Sequence, residues 1–399
     1  MSGRGGAAVA VLRQARFPAD PRVRKEVAAL LAAGHPVDVI CRRGVGEPAN
    51  EDWRGARVHR LEVASRRGSG VRRRLGEDCE FLVRATTRLA RLQRQRRFAL
   101  VQVNTLPDYL TFAALSPRLR GASLLLDMHE LMPEFLVEKH SGRGRAALLR
   151  AARAGEWLGT RPADHVLFVS PLQASIMGRR VGRPFTVLPN TPDEEVFRPN
   201  GRPGRSRDRQ VVMTHGRVAR RYGAQLLIEA LPTVLREQPV ELRIVGDGEH
   251  LPEMRALAKR AGVAPHVSFT GPVRLEAVPE LIGESDVGVV PLLPGGYAEL
   301  MSPNKLFEYV AMERPTVCAD LPGVRAYLGE GETEFFRPGD PAHLAQKLLR
   351  LLRDRERSAE LVSRASTLYE RVRWSAVAPR YLRLVERLAA GGGGAGRPA

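Results

Sequence analysis

Ser302-Pro303-Asn304-Lys305, followed by Glu308 and Tyr309, combines residue types and spacing suited to chemistry. Ser302 is a good helix N-cap, and Pro303 suits the first helical position, where a missing N–H costs nothing. The unpaired N–H groups of that first turn, at the positive end of the helix dipole, form a natural anion site. Lys305 and Glu308 lie three apart and so share one helix face. A cation at an anion-binding helix start, with a carboxylate one turn deeper, suits a ligand carrying both phosphate and hydroxyls. A nucleotide sugar is such a ligand. A capped surface helix with an i,i+3 ion pair would give the same pattern, so the rest of the chain must decide.

Three earlier turns share this logic. Val212-Met213-Thr214-His215-Gly216-Arg217 reads as a strand ending in a Gly turn. Gly216 lets the backbone approach a ligand, and Arg217 can bind a diphosphate through two N–H groups. Val245-Gly246-Asp247-Gly248 repeats the pattern after the next strand, and Phe269-Thr270-Gly271-Pro272-Val273 can present backbone groups to a base. In the first half, Leu126-Asp127-Met128-His129-Glu130 puts polar groups just beyond a strand. His129 there could serve a reacting centre, cap a helix or pair with a carboxylate. Asp20 and Arg22 could touch a second substrate; a helix N-cap and a surface charge explain them equally well.

The elements that must position these residues alternate strand and helix. Strands are expected at Ala7–Leu12, Val37–Cys41, Val58–Leu61, Ala99–Val103, Ser123–Met128 and His165–Ser170. Helices are expected at Asp20–Ala33, about 71–95, Pro107–Leu115 and Arg145–Gly159. After a Pro-, Gly- and Arg-rich linker the pattern restarts, with strands at Val211–Thr214, Glu241–Val245, Val267–Thr270, Val287–Val290 and Thr316–Ala319. Helices there are expected at Ala224–Glu237, Leu251–Ala261, Val278–Gly283, Pro303–Met312 and Pro341–Arg353, with more helix from Ser358 to Leu388. Such alternation implies parallel βαβ units and an α/β fold of two doubly wound, Rossmann-like domains. The expected divisions are 1–190, a linker at 191–210, a second domain at 211–372 and a disordered tail at 391–399. A C-terminal helix at about 375–390 is expected to pack back on the first domain. Ligands of open α/β sheets sit beyond the carboxyl ends of the strands. That is where the motifs above fall.

Composition narrows the class. The chain has 399 residues, 43% hydrophobic and 27% charged, ordinary values for soluble globular domains. No apolar run approaches a membrane span, and Met1–Gly6 leads into a strand without the apolar core of a signal peptide. Cys41, Cys79 and Cys318 are odd in number and far apart. That excludes a CxxC metal or redox site and fits free thiols in a reducing cytoplasm. The net charge of +19 is uneven, because residues 1–200 hold 34 Lys+Arg against 20 Asp+Glu. Eleven arginines crowd Arg66–Arg97. No zinc-finger spacing, helix-turn-helix cue or aromatic-interleaved basic strand accompanies them, so nucleic acid is not the expected partner. A patch facing an anionic membrane is slightly favoured over a merely solvated helix face.

The ordered series His215-Gly216-Arg217, Val245–Gly248, Phe269–Gly271, Ser285-Asp286-Val287-Gly288-Val289-Val290-Pro291 and Ser302–Lys305 with Glu308 resembles the donor-binding domain of family 4 glycosyltransferases. Asp20-Pro21-Arg22-Val23, Gly34-His35-Pro36-Val37, Val187-Leu188-Pro189-Asn190, Phe197-Arg198-Pro199, Phe336–Pro341 and Trp374 resemble that family's other landmarks. The resemblance implies a GT-B fold, two Rossmann-like domains facing across a cleft. It implies retaining, metal-independent transfer with no cofactor, from a nucleoside diphosphate sugar (UDP is commonest) to a hydroxyl acceptor. That acceptor would be a lipid-linked sugar, a polysaccharide or a natural product. Glu308 would hold the donor ribose and Arg217 the diphosphate, with Ser302, Pro303, Asn304 and Lys305 cradling phosphate and sugar. Gly216, Gly246, Gly271 and Val273 would line the nucleotide site, and His129 would contact the donor sugar or the reacting centre. Asn190 would shape a hinge. Two departures stand out. The family's usual first glutamate, eight positions before Glu308, is Leu300, with Glu299 off by one. Its usual lysine after the Gly-Arg turn is Tyr222, beside Arg220 and Arg221, either of which could substitute. The expected location is the cytoplasm, with peripheral association at the inner membrane face through Arg66–Arg97. A nucleotide-sugar 2-epimerase of the same fold and a non-catalytic binder of anionic polymers are the alternatives.

Overall fold

A computed structural model describes residues 6–64, 71–134, 144–199 and 209–391. The chain divides into two compact units, residues 1–189 with 377–399, and residues 190–376. The first unit is built on an eight-stranded sheet in the order β3-β4-β2-β1-β5-β6-β7-β8. These strands are β1 (Val9–Arg13), β2 (Val37–Arg42), β3 (Asn50–Trp53), β4 (Ala56–Leu61), β5 (Leu100–Asn104), β6 (Ser123–Met128), β7 (His165–Phe168) and β8 (Phe185–Val187). All neighbours pair in parallel except β3 with β4. The central strands are buried almost throughout, as expected for a sheet covered on both faces, and β1 is buried from Val9 to Leu12.

The second unit holds a six-stranded, all-parallel sheet in the order β11-β10-β9-β12-β13-β14. Its strands are β9 (Gln210–His215), β10 (Val240–Val245), β11 (Val267–Gly271), β12 (Val287–Val290), β13 (Thr316–Ala319) and β14 (Glu334–Phe336). Chain order therefore reverses between β9 and β12. At that topological switch point the loops diverge and leave a crevice for a ligand.

Local signals explain most boundaries. Asp20 caps the helix Pro21–Ala32 by accepting from the N–H groups of Arg22 and Val23, at 3.1 and 3.3 Å. Asp340 caps Pro341–Arg353 in the same way. Several expectations are corrected. The segment Pro107–Leu115 forms a 3-10 helix, Asp108–Ala114, followed by one α-turn, Leu115–Arg118. A helix at Pro171–Val181 and the strands β3, β8 and β14 were not foreseen. The expected linker is packed at its start, because Phe197 is buried in the core of the second unit. Residues 200–208 of that linker, and 392–399 of the expected tail, lie outside the described residues. The last helix, Trp374–Ala390, is tied to the first unit where the Tyr381 hydroxyl donates to Gln102 at 2.6 Å and Ser123 donates to the Leu388 carbonyl at 2.7 Å.

Candidate functional site

The switch point of the second unit gathers most of the residues singled out in its sequence. Backbone bonds lace the three strand-end turns together. Gly216 donates to the Val245 carbonyl, Val218 to that of Asp247 and Gly246 to that of Gly271, each at 2.9 Å. This lacing demands glycine at 246, where φ is +128° and a Cβ would stand 1.9 Å from the Gly216 carbonyl oxygen. Gly216 itself has φ +108°, and a Cβ there would lie 3.9 Å from Cε of Lys305. The Lys305 side chain therefore passes over the bare backbone of the first turn. Gly271 closes β11, and Val273 is half-buried against the unit's core.

After β12 the chain makes a short 3-10 turn, Gly296–Leu300, and then the helix Asn304–Ala311. The N-cap is Pro303 rather than Ser302, and no side chain among the described residues caps this helix. The Ser302 hydroxyl, expected to do so, is buried without a hydrogen-bond partner among the described residues. The helix thus starts one residue later than its sequence suggests, and no side chain among the described residues occupies its first-turn N–H groups. Asn304 accepts from the Asn190 amide at 2.7 Å, which ties the start of the second unit to this turn. Glu299 turns back on its own loop, accepting from the Gly295 N–H at 2.6 Å. With Leu300 at the next position, no carboxylate stands where the family pattern has its first glutamate.

Lys305 and Glu308 do not pair with each other. Lys305 donates to Thr214 Oγ1 at 3.4 Å and lies 5.8 Å from the centre of the Tyr222 ring. Burial pulls its amine down to about 8, against the opposing pull of Glu308. Glu308 Oε2 instead meets His215 Nε2 at 2.5 Å, while His215 Nδ1 faces the Tyr309 hydroxyl at 2.9 Å. The sequence motifs include His215 and Tyr309 but assign neither of them a role in the site. The signal available for His215 was its place at the last residue of β9, directly before the Gly turn.

Arg217 is not turned toward this group, since its guanidinium pairs with Glu249 at 2.9 Å and both are largely exposed. Arg221 lies with its guanidinium carbon 4.9 Å from the Tyr222 ring centre, so the Tyr222 ring has both Arg221 and Lys305 within about 6 Å of its centre.

In the first unit, His129 follows β6 and donates from Nε2 to Asp127 Oδ2 at 2.9 Å. Asp127 is also held by both arms of Arg22, at 2.7 and 2.8 Å. Arg22 is thus a buried anchor and not a surface charge, and it reaches on to the Leu188 carbonyl at 3.0 Å. Burial opposes ionisation of Asp127, yet Arg22 and His129 hold its carboxyl far below the usual range. Glu26 beside it moves the other way, raised by burial and by the charge of Asp127. Burial, with Arg13 and Arg22 nearby, lowers His129 in spite of Asp127. The imidazole is therefore oriented by a fixed carboxylate and favoured in its neutral form.

Two family models match the chain. Residues 19–191 match the "Glycosyl transferase 4-like domain" and residues 209–354 match "Glycosyl transferases group 1". Among curated proteins, a phosphatidyl-myo-inositol mannosyltransferase of Mycobacterium leprae is 31% identical over 174 residues, 43% of this chain and 45% of that protein. An alpha-D-kanosaminyltransferase of Streptomyces kanamyceticus is 32% identical over 158 residues, 38% of this chain and 40% of that protein. The chain thus spans less than half the length of these two curated relatives. Among solved structures, a sucrose-phosphate synthase of Thermosynechococcus elongatus superposes with a TM-score of 0.75 over 97% of this chain and 100% of that one, at 21% identity. At that identity the likeness speaks for the fold.

Proposed function

We propose, starting from the family 4 glycosyltransferases to which this chain belongs, that it moves a sugar from a nucleoside diphosphate to a hydroxyl acceptor with retention at the anomeric carbon. The observation that carries the reading is the separation of Lys305 from Glu308. A mere surface ion pair would join them, yet each is held by a different residue of β9 at the switch point. Both remain available to a ligand carrying phosphate and hydroxyls.

Breaking the bond to the donor sugar builds negative charge on the leaving diphosphate. Lys305 and the first-turn N–H groups of helix Asn304–Ala311 meet that charge as it develops. Arg217 adds to them once it leaves Glu249. Glu308 accepts from the ribose hydroxyls, and His129, oriented by Asp127, serves the donor sugar or the reacting centre. The scheme calls on no metal ion, so chelation with EDTA is expected to leave transfer unchanged. UDP is the proposed nucleotide, and a lipid-linked sugar, a polysaccharide or a natural product the proposed acceptor class. Peripheral docking of this cytoplasmic enzyme on an anionic membrane is the proposed role of Arg66–Arg97. Arg91, Arg94 and Arg97 are exposed there, while Arg66 and Arg67 lie outside the described residues. Co-sedimentation with phosphatidylglycerol vesicles but not with phosphatidylcholine vesicles is expected.

The deciding experiment is a thermal-shift, hydrolysis and transfer screen across UDP-, GDP-, ADP- and dTDP-sugars, repeated with Glu308→Ala. One donor should stabilise the wild type and lose its effect in the variant. Absence of stabilisation by every donor would overturn the proposal.

A further inference from the structure

We infer that His215 is a positioning residue for nucleotide recognition, clamping one oxygen of Glu308 so that the other is held ready for a ribose diol. This rests on the proposed reading of Glu308 as the ribose-binding carboxylate. His215 ends β9, and helix Asn304–Ala311 offers Glu308 and Tyr309, consecutive residues, to the two nitrogens of its ring. A carboxylate only accepts, so Nε2 carries a proton and points it at Glu308 Oε2. On the other side, the imidazole stands edge-on to Tyr309, with ring centres 4.9 Å apart and planes at 85°. Tyr309 cannot drift. It is fully buried, its hydroxyl donates to the Met213 carbonyl at 3.0 Å, and its ring fills the space that a Cβ on Gly288 would need.

The imidazole is thus fixed by a strand end and by a packed tyrosine, and it passes that fixity to Glu308. Glu308 Oε1 takes no hydrogen bond among the described residues. Lys305, the cation on the same helix face, is engaged by Thr214 and leaves the carboxylate to His215. A free glutamate would have to be ordered when ligand binds, whereas this one is ordered beforehand, and such preorganisation appears as affinity.

The test is the ratio of dissociation constants for UDP and 2′-deoxy-UDP, and for GDP and 2′-deoxy-GDP. It is measured by calorimetry on the full chain for wild type, His215→Phe, His215→Gln and Glu308→Gln. Phenylalanine keeps the ring against Tyr309, whose hydroxyl retains its bond to Met213. Glutamine restores an N–H near the position of Nε2. The wild type should prefer one ribonucleotide about tenfold or more, the weight of one hydrogen bond to a charged group. His215→Phe should reduce that preference to about threefold or less, and His215→Gln should recover most of it. An unchanged preference in His215→Phe would overturn the inference, as would equal weakening of both nucleotides, which is the mark of a merely structural role. If Glu308→Gln abolishes the preference while His215→Phe keeps it, the inference alone fails. If neither nucleotide binds, or Glu308→Gln matches the wild type, the ribose reading fails and takes the inference with it.

Discussion

Replacing Lys305 by methionine should make the empty protein more stable and its nucleotide complex weaker. The amine is drawn down from 10.5 to about 8 by burial, so near neutral pH the fold holds a cation it has partly desolvated. That gap corresponds to about 3 kcal/mol at ~1.4 kcal/mol per pH unit, an upper bound that residual water reduces to about 1–2 kcal/mol. The sign follows from proton counts. Between about 8 and 10.5 the unfolded chain binds more protons than the folded one, so stability rises with pH across that window, and below it the full penalty is present. Lys305→Met removes the penalty, and a gain of about 1–2 kcal/mol should raise the melting temperature of the second unit by about 2–8 °C at pH 7. The same change removes a cation from the diphosphate site and should weaken UDP or GDP binding by about 10- to 100-fold. Differential scanning calorimetry at pH 7 and pH 9.5, with and without nucleotide, reads both effects. A destabilised empty protein that keeps its full nucleotide-induced shift would make Lys305 a structural cation and overturn this prediction.

Further outcomes are expected at four other positions. Gly246→Ala forces a Cβ to within 1.9 Å of the Gly216 carbonyl and should cost more than about 3 kcal/mol. Gly271→Ala has φ +74° but open space around it and should cost only about 1 kcal/mol, and urea denaturation of the two variants compares them. Burial, with Glu156 nearby, pushes Asp108 up to about 8, so its proton is bound in the fold and lost in the unfolded chain between about 4 and 8. Stability of the first unit should therefore fall as pH rises through that window, by at most about 1.4 kcal/mol per pH unit from this group, and that share of the slope should vanish in Asp108→Asn. Arg22→Met leaves Asp127 buried without its bidentate partner and should cost about 3–5 kcal/mol by chemical denaturation, while Arg22→Met with Asp127→Asn should recover part of that loss.

Much of this architecture could be read from sequence wherever an apolar run met a clear stop signal. Ser123–Met128, Val287–Val290 and Thr316–Ala319 fall where the sequence placed them, and Pro341–Arg353 begins at its Asp340 cap. The helix Pro171–Val181 also had its signals, Ser170 before and Gly182 after, but they follow closely on a strand. The strand Asn50–Trp53 had none. Its first three residues are polar and exposed, and it forms because a tight turn at Arg54 and Gly55 folds it against β4. The site was legible in its parts and not in its pairings. The i,i+3 spacing joins Lys305 to Glu308, while the fold gives them partners 91 and 93 residues away. Periodicity carries no trace of such contacts, since the parallel sheet order alone sets them. Arg22 was misplaced for the same reason, because its partner Asp127 is 105 residues away.

The measurement that bears most directly on the account is a crystal structure of the chain with the nucleoside diphosphate that stabilises it. The ribose hydroxyls are predicted to lie within hydrogen-bonding distance of Glu308, with the diphosphate against Lys305 and the first turn of helix Asn304–Ala311. A nucleotide bound elsewhere, or one whose ribose avoids Glu308 while its phosphates avoid that turn, would contradict it.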